Sequence, residues 1–443
     1  MATLYNYFRI MYYLRSLLRH AYWSRDRLEG YQNRKVREIV TYAYDHVPFY
    51  NQKFKQLGLK PDDIRRVEDL NKFPVVGREE LQKNADKTIS DEFDAGDLTV
   101  DSTSGSTGQP LCTYLTGKED EFRKAKLLRA NIGCGQKPRD RWAVIAPPRH
   151  QSKMGRIQRL LGIYVPITVS VFDDADMQVS AIEKIKPDVL EGYSSSLLLM
   201  AKEKEKRGVE IGPRIIIGGA ELIDDHDQLF IEKAFDAPFY DQYSSVEFDA
   251  LAWQCQEKNG YHIEADTIVM QFVDEDGEEV VPGEEGQIVC TSLFNYAMPL
   301  IRYAVGDIGI LSGETKCPCG RTLPLMKVMT GRKDSIIVLR DGRFLSPLVI
   351  GDGMMFFKYF DYIDQYRVIQ KKIGFFKILV KKKDSEVDDS VFEAEFAAHF
   401  RRLLKVDESE VAIELEFVDE IPVDRSGKIR KIISELKGHN QSI

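Results

Sequence analysis

The sequence predicts an α/β protein of two or three domains, on three observations. Short continuous apolar runs, such as Trp142–Ala146 and Ile215–Ile217, alternate with helical stretches in the middle of the chain. Strands that are apolar throughout, rather than on alternate positions, belong to a parallel sheet covered on both faces. At 443 residues the chain is also too long for one ordinary core.

From Met1 to Arg25 the only charged side chains are arginines, at 9, 15, 19 and 25, set among Tyr5, Phe8, Leu14, Leu17, Tyr22 and Trp23. Such a helix suits a membrane interface or a dock on the protein's own body, and the second is preferred. Helical spacing of Val36, Ile39, Val40 and Ala43 predicts a helix that breaks at Pro48. A helix over 118–132 and strands at 142–146, 167–172 and near 189 follow. A helix over 197–206 leads to a strand at 214–217. Residues 267–273 and 286–291 read as strands of a small β-rich subdomain, flanking turn-rich Asp274-Glu275-Asp276-Gly277 and Pro282-Gly283. Beyond 334, strands near 366, 375 and 411–417 and a helix over 392–404 form a compact α+β unit. The expected division is therefore 1–333 and 334–443.

A net charge of −8 argues against a general nucleic-acid binder, which needs a basic surface. The sequence has no apolar run of bilayer-spanning length and no secretory signal at its start, so a cytoplasmic location is expected. Six cysteines are too few for a disulfide scaffold of this size. Four residues, Cys255, His262, Cys317 and Cys319, match a closed structural zinc site in ligand type and number. Such a site would staple two distant segments together.

The stretch Asp101 to Pro110 combines glycines at 105 and 108 with hydroxyls at 102, 103, 104, 106 and 107, which suits a turn that cradles an anion. It lacks the Gly-Lys-Ser/Thr ending of a Walker A loop. Instead it resembles the Thr-Ser-Gly-Ser-Thr-Gly-x-Pro signature of the adenylate-forming superfamily, with Leu111 where many members have lysine. The opening segment 69–81 is similar to that of phenylacetate-CoA ligase-like and capsule-biosynthesis proteins.

Further matches follow in order. Gly218, Gly219, Ala220 and Glu221 resemble the segment that packs on adenine. Gln242, Tyr243 and Ser244 lead to Glu247, which resembles the magnesium-holding carboxylate of that family. Asp307 resembles its ribose-binding aspartate, although Ala304 and Val305 depart from the motif. Gly331-Arg332-Lys333-Asp334 resembles the hinge, in which Arg332 reaches ribose and Asp334 is the pivot of a mobile C-terminal domain. The run 421–431 resembles the closing signature, in which Lys428 meets the carboxylate and the α-phosphate. With Ser104, Gly105, Ser106, Thr107 and Gly108 on the phosphates, the resemblance implies ATP- and Mg²⁺-dependent formation of an acyl-adenylate. Transfer to coenzyme A would follow. An amine or hydroxyl of a surface-polysaccharide precursor is the alternative acceptor, with work beside a membrane. A nucleotide-binding protein without turnover is the reading from another class.

Overall fold

The computed structural model describes residues 2–102, 111–147, 156–314, 316–332, 337–345, 347–354, 356–383, 387–422 and 430–436. Three helices open the chain: α1 (Ala2–His20), α2 (Arg25–His46) and α3 (Pro48–Leu57). Pro48 takes the first helical position of α3, where its missing N–H costs nothing, and Gly58 ends that helix at φ 68°. After α4 (Arg78–Lys83), strands β1 (Thr99–Ser102) and β2 (Cys112–Leu115) pair antiparallel and bracket residues 103–110.

Helix α5 (Gly117–Cys134) has both ends specified locally. The Thr116 hydroxyl accepts from the Glu119 N–H, the Glu119 carboxylate accepts from the Thr116 N–H, and Gly135 closes the helix at φ 112°. Next come β3 (Trp142–Ala146), α6 (Arg156–Leu161), β4 (Pro166–Ser170), α7 (Ala175–Ile185), β5 (Val189–Tyr193), α8 (Ser194–Arg207), β6 (Ile215–Gly219), α9 (Asp225–Phe235) and β7 (Phe239–Ser245). Then β8 (Asp249–Gln254), β9 (Tyr261–Ile263), β10 (Ile268–Val273), β11 (Glu285–Ser292), β12 (Tyr303–Leu311) and β13 (Leu325–Arg332) complete one eleven-stranded sheet.

Its order is β10-β11-β12-β13-β9-β8-β7-β6-β5-β3-β4. Strands β4, β3, β5, β6 and β7 run parallel, as their apolar runs predict, and every later pairing is antiparallel. The β-rich portion thus continues the parallel sheet edge to edge. Helices α7, α8 and α9 cover one face of the parallel half through Val179, Ile182, Leu197, Met200 and Ile231. Helices α1 and α5 cover the other, with Leu14, Leu17, Ala125 and Leu128 on Val189, Ile215 and Ile217.

The C-terminal part comprises the β14 (Ile337–Val338) and β15 (Phe344–Leu345) pair, α10 (Pro347–Met354), β16 (Ile363–Lys372), β17 (Phe375–Lys382), α11 (Asp389–Leu404), β18 (Ala412–Phe417) and β19 (Ile432–Ser434). The last four strands form a mixed sheet ordered β18-β17-β16-β19. Phe392, Phe396, Phe400 and Leu404, four apart on α11, are buried against it. No helix among the described residues is long and apolar enough to cross a membrane.

The end of α1 is held by a fully buried ion cluster. Arg129 of α5 donates to both oxygens of Asp266 at 2.7 and 2.8 Å, to both oxygens of Glu264, and to the Leu17 carbonyl at 3.1 Å. Asp266 also meets the His20 ring at 2.9 Å. Burial would raise the Asp266 carboxyl, but Arg129 and His20 outweigh it and hold it at about 2. Replacing Arg129 by Met strands two buried carboxylates, so Arg129→Met is expected to lose about 3–5 kcal/mol in urea unfolding. Adding Glu264→Gln and Asp266→Asn should recover a substantial part of that loss.

Candidate active site

Parallel strands present ligands at their carboxyl ends, and there the chain gathers most of the described residues singled out by sequence. At the end of β6, a Cβ on Gly218 would lie 2.0 Å from the Phe239 ring. One on Gly219 would lie 2.7 Å from the Gln242 carbonyl oxygen. These glycines let β6 and β7 pack closely, and Ala220 continues at φ 65°. The Glu221 carboxylate turns back and accepts from the Ser195 N–H at 2.9 Å, at the start of α8. Gln242 points its amide into the body, donating to Asn131 Oδ1 at 2.8 Å. Ser244 is exposed.

Tyr243 on β7 is buried and donates its hydroxyl to Asp307 Oδ2 on β12 at 2.8 Å. Reciprocally, Tyr303 on β12 donates its hydroxyl to Glu247 Oε1, just beyond β7, also at 2.8 Å. Strands β7 and β12 are separated in the sheet by β8, β9 and β13, so the sheet curls to bring them into contact. Both carboxylates are largely buried, and each accepts a hydrogen bond from a neutral tyrosine hydroxyl, with the Arg78 guanidinium 3.9 Å from Glu247. The Glu247 Oε2 atom takes no hydrogen bond from the described residues. A hard oxygen of this kind suits a magnesium ion. Asp307 lies directly opposite Arg332 in the β12–β13 register.

Beneath this point, α5 supplies cations that the sequence reading did not single out. Arg123 Nη2 donates to the Val246 carbonyl at 2.8 Å, and Lys126 Nζ donates to the Phe248 carbonyl at 2.9 Å. They clamp the turn carrying Glu247 from either side. Burial pushes the Lys126 ammonium down to about 8. A readable signal was present: Arg123, Lys126 and Arg129 recur every three residues on α5, on a face where solvated charge leaves no room for the sheet. Arg302 is likewise buried and structural, donating to the carbonyls of Asn71, Phe73 and Gly277.

Ser104, Gly105, Ser106, Thr107, Gly108, Asp334 and Lys428 lie outside the described residues, as does the side chain of Arg332.

The cysteine–histidine cluster comes together as its composition predicts. Cys255 follows β8, His262 lies on β9, and Cys317 and Cys319 precede β13. Cys255 Sγ is 3.5 Å from Cys317 Sγ, Cys319 Sγ is 3.3 Å from His262 Nε2, and all four ligand atoms lie within 4.8 Å of one another. Burial and Arg321 push His262 down to about 4, which keeps its imidazole neutral. Three sulfurs and one neutral ring nitrogen match a closed four-ligand metal site in donor type and number.

A family model for the CapK C-terminal domain matches residues 348–435. The phenylacetate-coenzyme A ligase of Thermus thermophilus is 24% identical over 441 residues, 93% of this chain and 98% of that one. That of Pseudomonas putida is 28% identical over 330 residues, 72% of this chain and 73% of that one. Protein CapK of Staphylococcus aureus is 23% identical over 428 residues, 92% and 89% of the two chains. Among solved structures, 2-hydroxyisobutyryl-CoA ligase in the postadenylation state, with R3-HIB-AMP, superposes with a TM-score of 0.78 at 18% identity, covering 94% of this chain and 91% of that one. With 2-HIB-AMP and CoA in the thioesterification state the same ligase gives 0.65.

The fold is that of the adenylate-forming ligase structures. Over most of its length the sequence is homologous to phenylacetate-CoA ligases and to CapK, with a CapK C-terminal domain matched at 348–435.

Proposed function

We propose that this protein activates a carboxylic acid with ATP and passes the acyl group to coenzyme A. The observation that carries the reading is the crossed pair Tyr243–Asp307 and Tyr303–Glu247. It gathers two carboxylates, from motifs 60 residues apart in sequence, at the carboxyl ends of the parallel strands. In the first step a substrate carboxylate oxygen attacks the α-phosphorus of ATP, and the bond to pyrophosphate breaks. In the second the CoA thiolate attacks the acyl carbon, and AMP leaves.

Residues 104–108 hold the phosphates, the backbone of 218–221 and the 242–244 strand flank adenine, and Asp307 with Arg332 binds ribose. Glu247 would hold Mg²⁺, which when bound neutralises phosphate charge. Lys428 brings an ammonium between two anions that otherwise repel, and Asp334 is the pivot between domains 1–333 and 334–443. Lys428→Ala is expected to retain ATP binding but lose carboxylate-dependent ATP–pyrophosphate exchange by about 100-fold or more. Exchange that survives the substitution would remove Lys428 from catalysis, and its absence in the unaltered protein across a broad acid panel would favour a nucleotide-binding role without turnover.

The second reading takes an amine or hydroxyl of a surface-polysaccharide precursor as the acceptor, in a chain similar to CapK. Thioester formed only with CoA present distinguishes the first acceptor from amide or ester formed without it.

The Cys255, His262, Cys317 and Cys319 cluster is assigned a structural zinc, which would join the β8–β9 hairpin to the approach to β13. About one zinc per chain is expected in metal analysis, and chelation or Cys317→Ser should lower the melting temperature. Zinc-free protein with an unchanged melting temperature on Cys317→Ser refutes the site.

Contact with an anionic membrane surface completes the reading. While Leu14 and Leu17 dock α1 inward, Phe8 (62% exposed), Tyr12 (69%), Arg15, Arg19 and Tyr22 form an outward stripe, beside the bare Leu160 of α6. Among residues 2–25 the charged groups are all arginines, in a chain of net charge −8. Co-sedimentation with phosphatidylserine vesicles is expected, and should fall several-fold in Phe8→Ser/Tyr12→Ser and in Arg15→Glu/Arg19→Glu. A protein that never sediments with them does not use this face on lipid.

A further inference from the structure

Glu191 is an acid in the middle of a parallel strand, on the sheet face that α1 and α5 cover. In register it stands between Val144 of β3 and Ile217 of β6. One of its oxygens is fixed: Oε2 accepts from Asn131 Nδ2 and from Trp142 Nε1, each at 2.9 Å. Asn131 is fixed in turn, because its Oδ1 accepts from Gln242 Nε2. The amide therefore has one orientation that satisfies both neighbours, and it aims its donor at Glu191.

The other oxygen, Oε1, takes no hydrogen bond from the described residues, and it is not sealed off. Glu191 remains partly accessible although burial is strong enough to raise its carboxyl to about 7. A partly accessible carboxyl with one oxygen left without a protein donor is a binding environment for a donor group. Its strand leads to the proposed reaction centre: Gly192 and Tyr193 follow Glu191, Tyr193 pairs with Gly219, and Gly219 pairs with Gln242, next to Tyr243.

We propose that Glu191 is a specificity residue of the acyl site, and that the acid activated here carries a hydrogen-bond donor, an amino or hydroxyl group, rather than a purely apolar aryl or alkyl chain. The inference rests on the adenylation reading and adds the substrate class to it. A site built around a buried polar atom rejects a ligand lacking the matching group more strongly than an apolar pocket rejects an extra hydroxyl. An apolar acid would leave Oε1 dry and unpaired.

Carboxylate-dependent ATP–pyrophosphate exchange on matched pairs of acids tests this, for instance phenylacetate against its amino and hydroxy derivatives, and butyrate against hydroxy- and aminobutyrates. The full-length protein is expected to favour the donor-bearing member by about ten-fold or more in kcat/KM. Glu191→Leu should erase or invert that ratio. Glu191→Gln, which keeps the shape and guards against misfolding of the leucine variant, should discriminate least well for the amino acids, whose ammonium loses its anion. Equal use of both members of each pair, or a ratio unaltered in Glu191→Gln, overturns the inference while leaving the adenylation reading intact. Lack of exchange with every acid overturns both.

Discussion

The candidate site depends on two buried carboxylates, Glu247 and Asp307, that come from distant strands and are held by tyrosines reaching across the sheet. A neutral hydroxyl fixes such a group without bringing a charge of its own. Tyr303 and Tyr243 each donate one neutral hydrogen bond across the curl of the sheet, to Glu247 and Asp307 respectively. Position is thus fixed by groups that are themselves uncharged. Arg78 adds a cation 3.9 Å from Glu247 Oε1.

Placing that geometry requires the turn after β7 to be rigid, and α5 supplies the rigidity. Its buried cations divide the work: Arg123 and Lys126 satisfy carbonyls on either side of Glu247, and Arg129 pairs with Glu264 and Asp266. Hydrogen bonds from charged donors to buried carbonyls are among the stronger ones available. The same helix is seated closely because Gly133 has no side chain, where a Cβ would lie 2.1 Å from the Trp253 ring. One helix therefore fixes the N-terminal helix, the edge of the sheet carrying the cysteine–histidine cluster through Trp253, and the turn carrying Glu247.

What the sequence reveals follows from which signals are local. Strands β3 and β6 are legible because burial on both faces makes them apolar throughout, and α11 because phenylalanine recurs every four residues. The cysteine–histidine cluster is legible because ligand chemistry restricts residue type. The tyrosine–carboxylate crossing is not, since it depends on the order β12-β13-β9-β8-β7, which no short window encodes. The cations of α5 escape for a related reason: charge ordinarily marks a solvated face, and only the partners contributed by residues more than 100 positions away reverse that meaning. Glu191 is hidden inside an otherwise ordinary strand.

The contacts between the two parts of the chain bear on how the reaction is ordered. Lys431 inserts its ammonium between Asp224 and Asp227 at the start of α9, and Lys202 of α8 meets Asp364 of β16. Burial would lower the Lys431 ammonium, but the two aspartates raise it, and Asp227 is held at about 2 against its own burial penalty. Arg367 donates to the carbonyls of Pro422 and Arg430, so the two ends of the segment carrying Lys428 are tied to β16. A C-terminal domain turning about Asp334 would have to part Lys431 from its aspartates, which costs several kcal/mol unless the new position returns it. Any such turning would be set by a difference in ligand affinity between two arrangements and not by looseness of the joint: only a ligand that binds the second arrangement more tightly than the ion pairs hold the first could drive it.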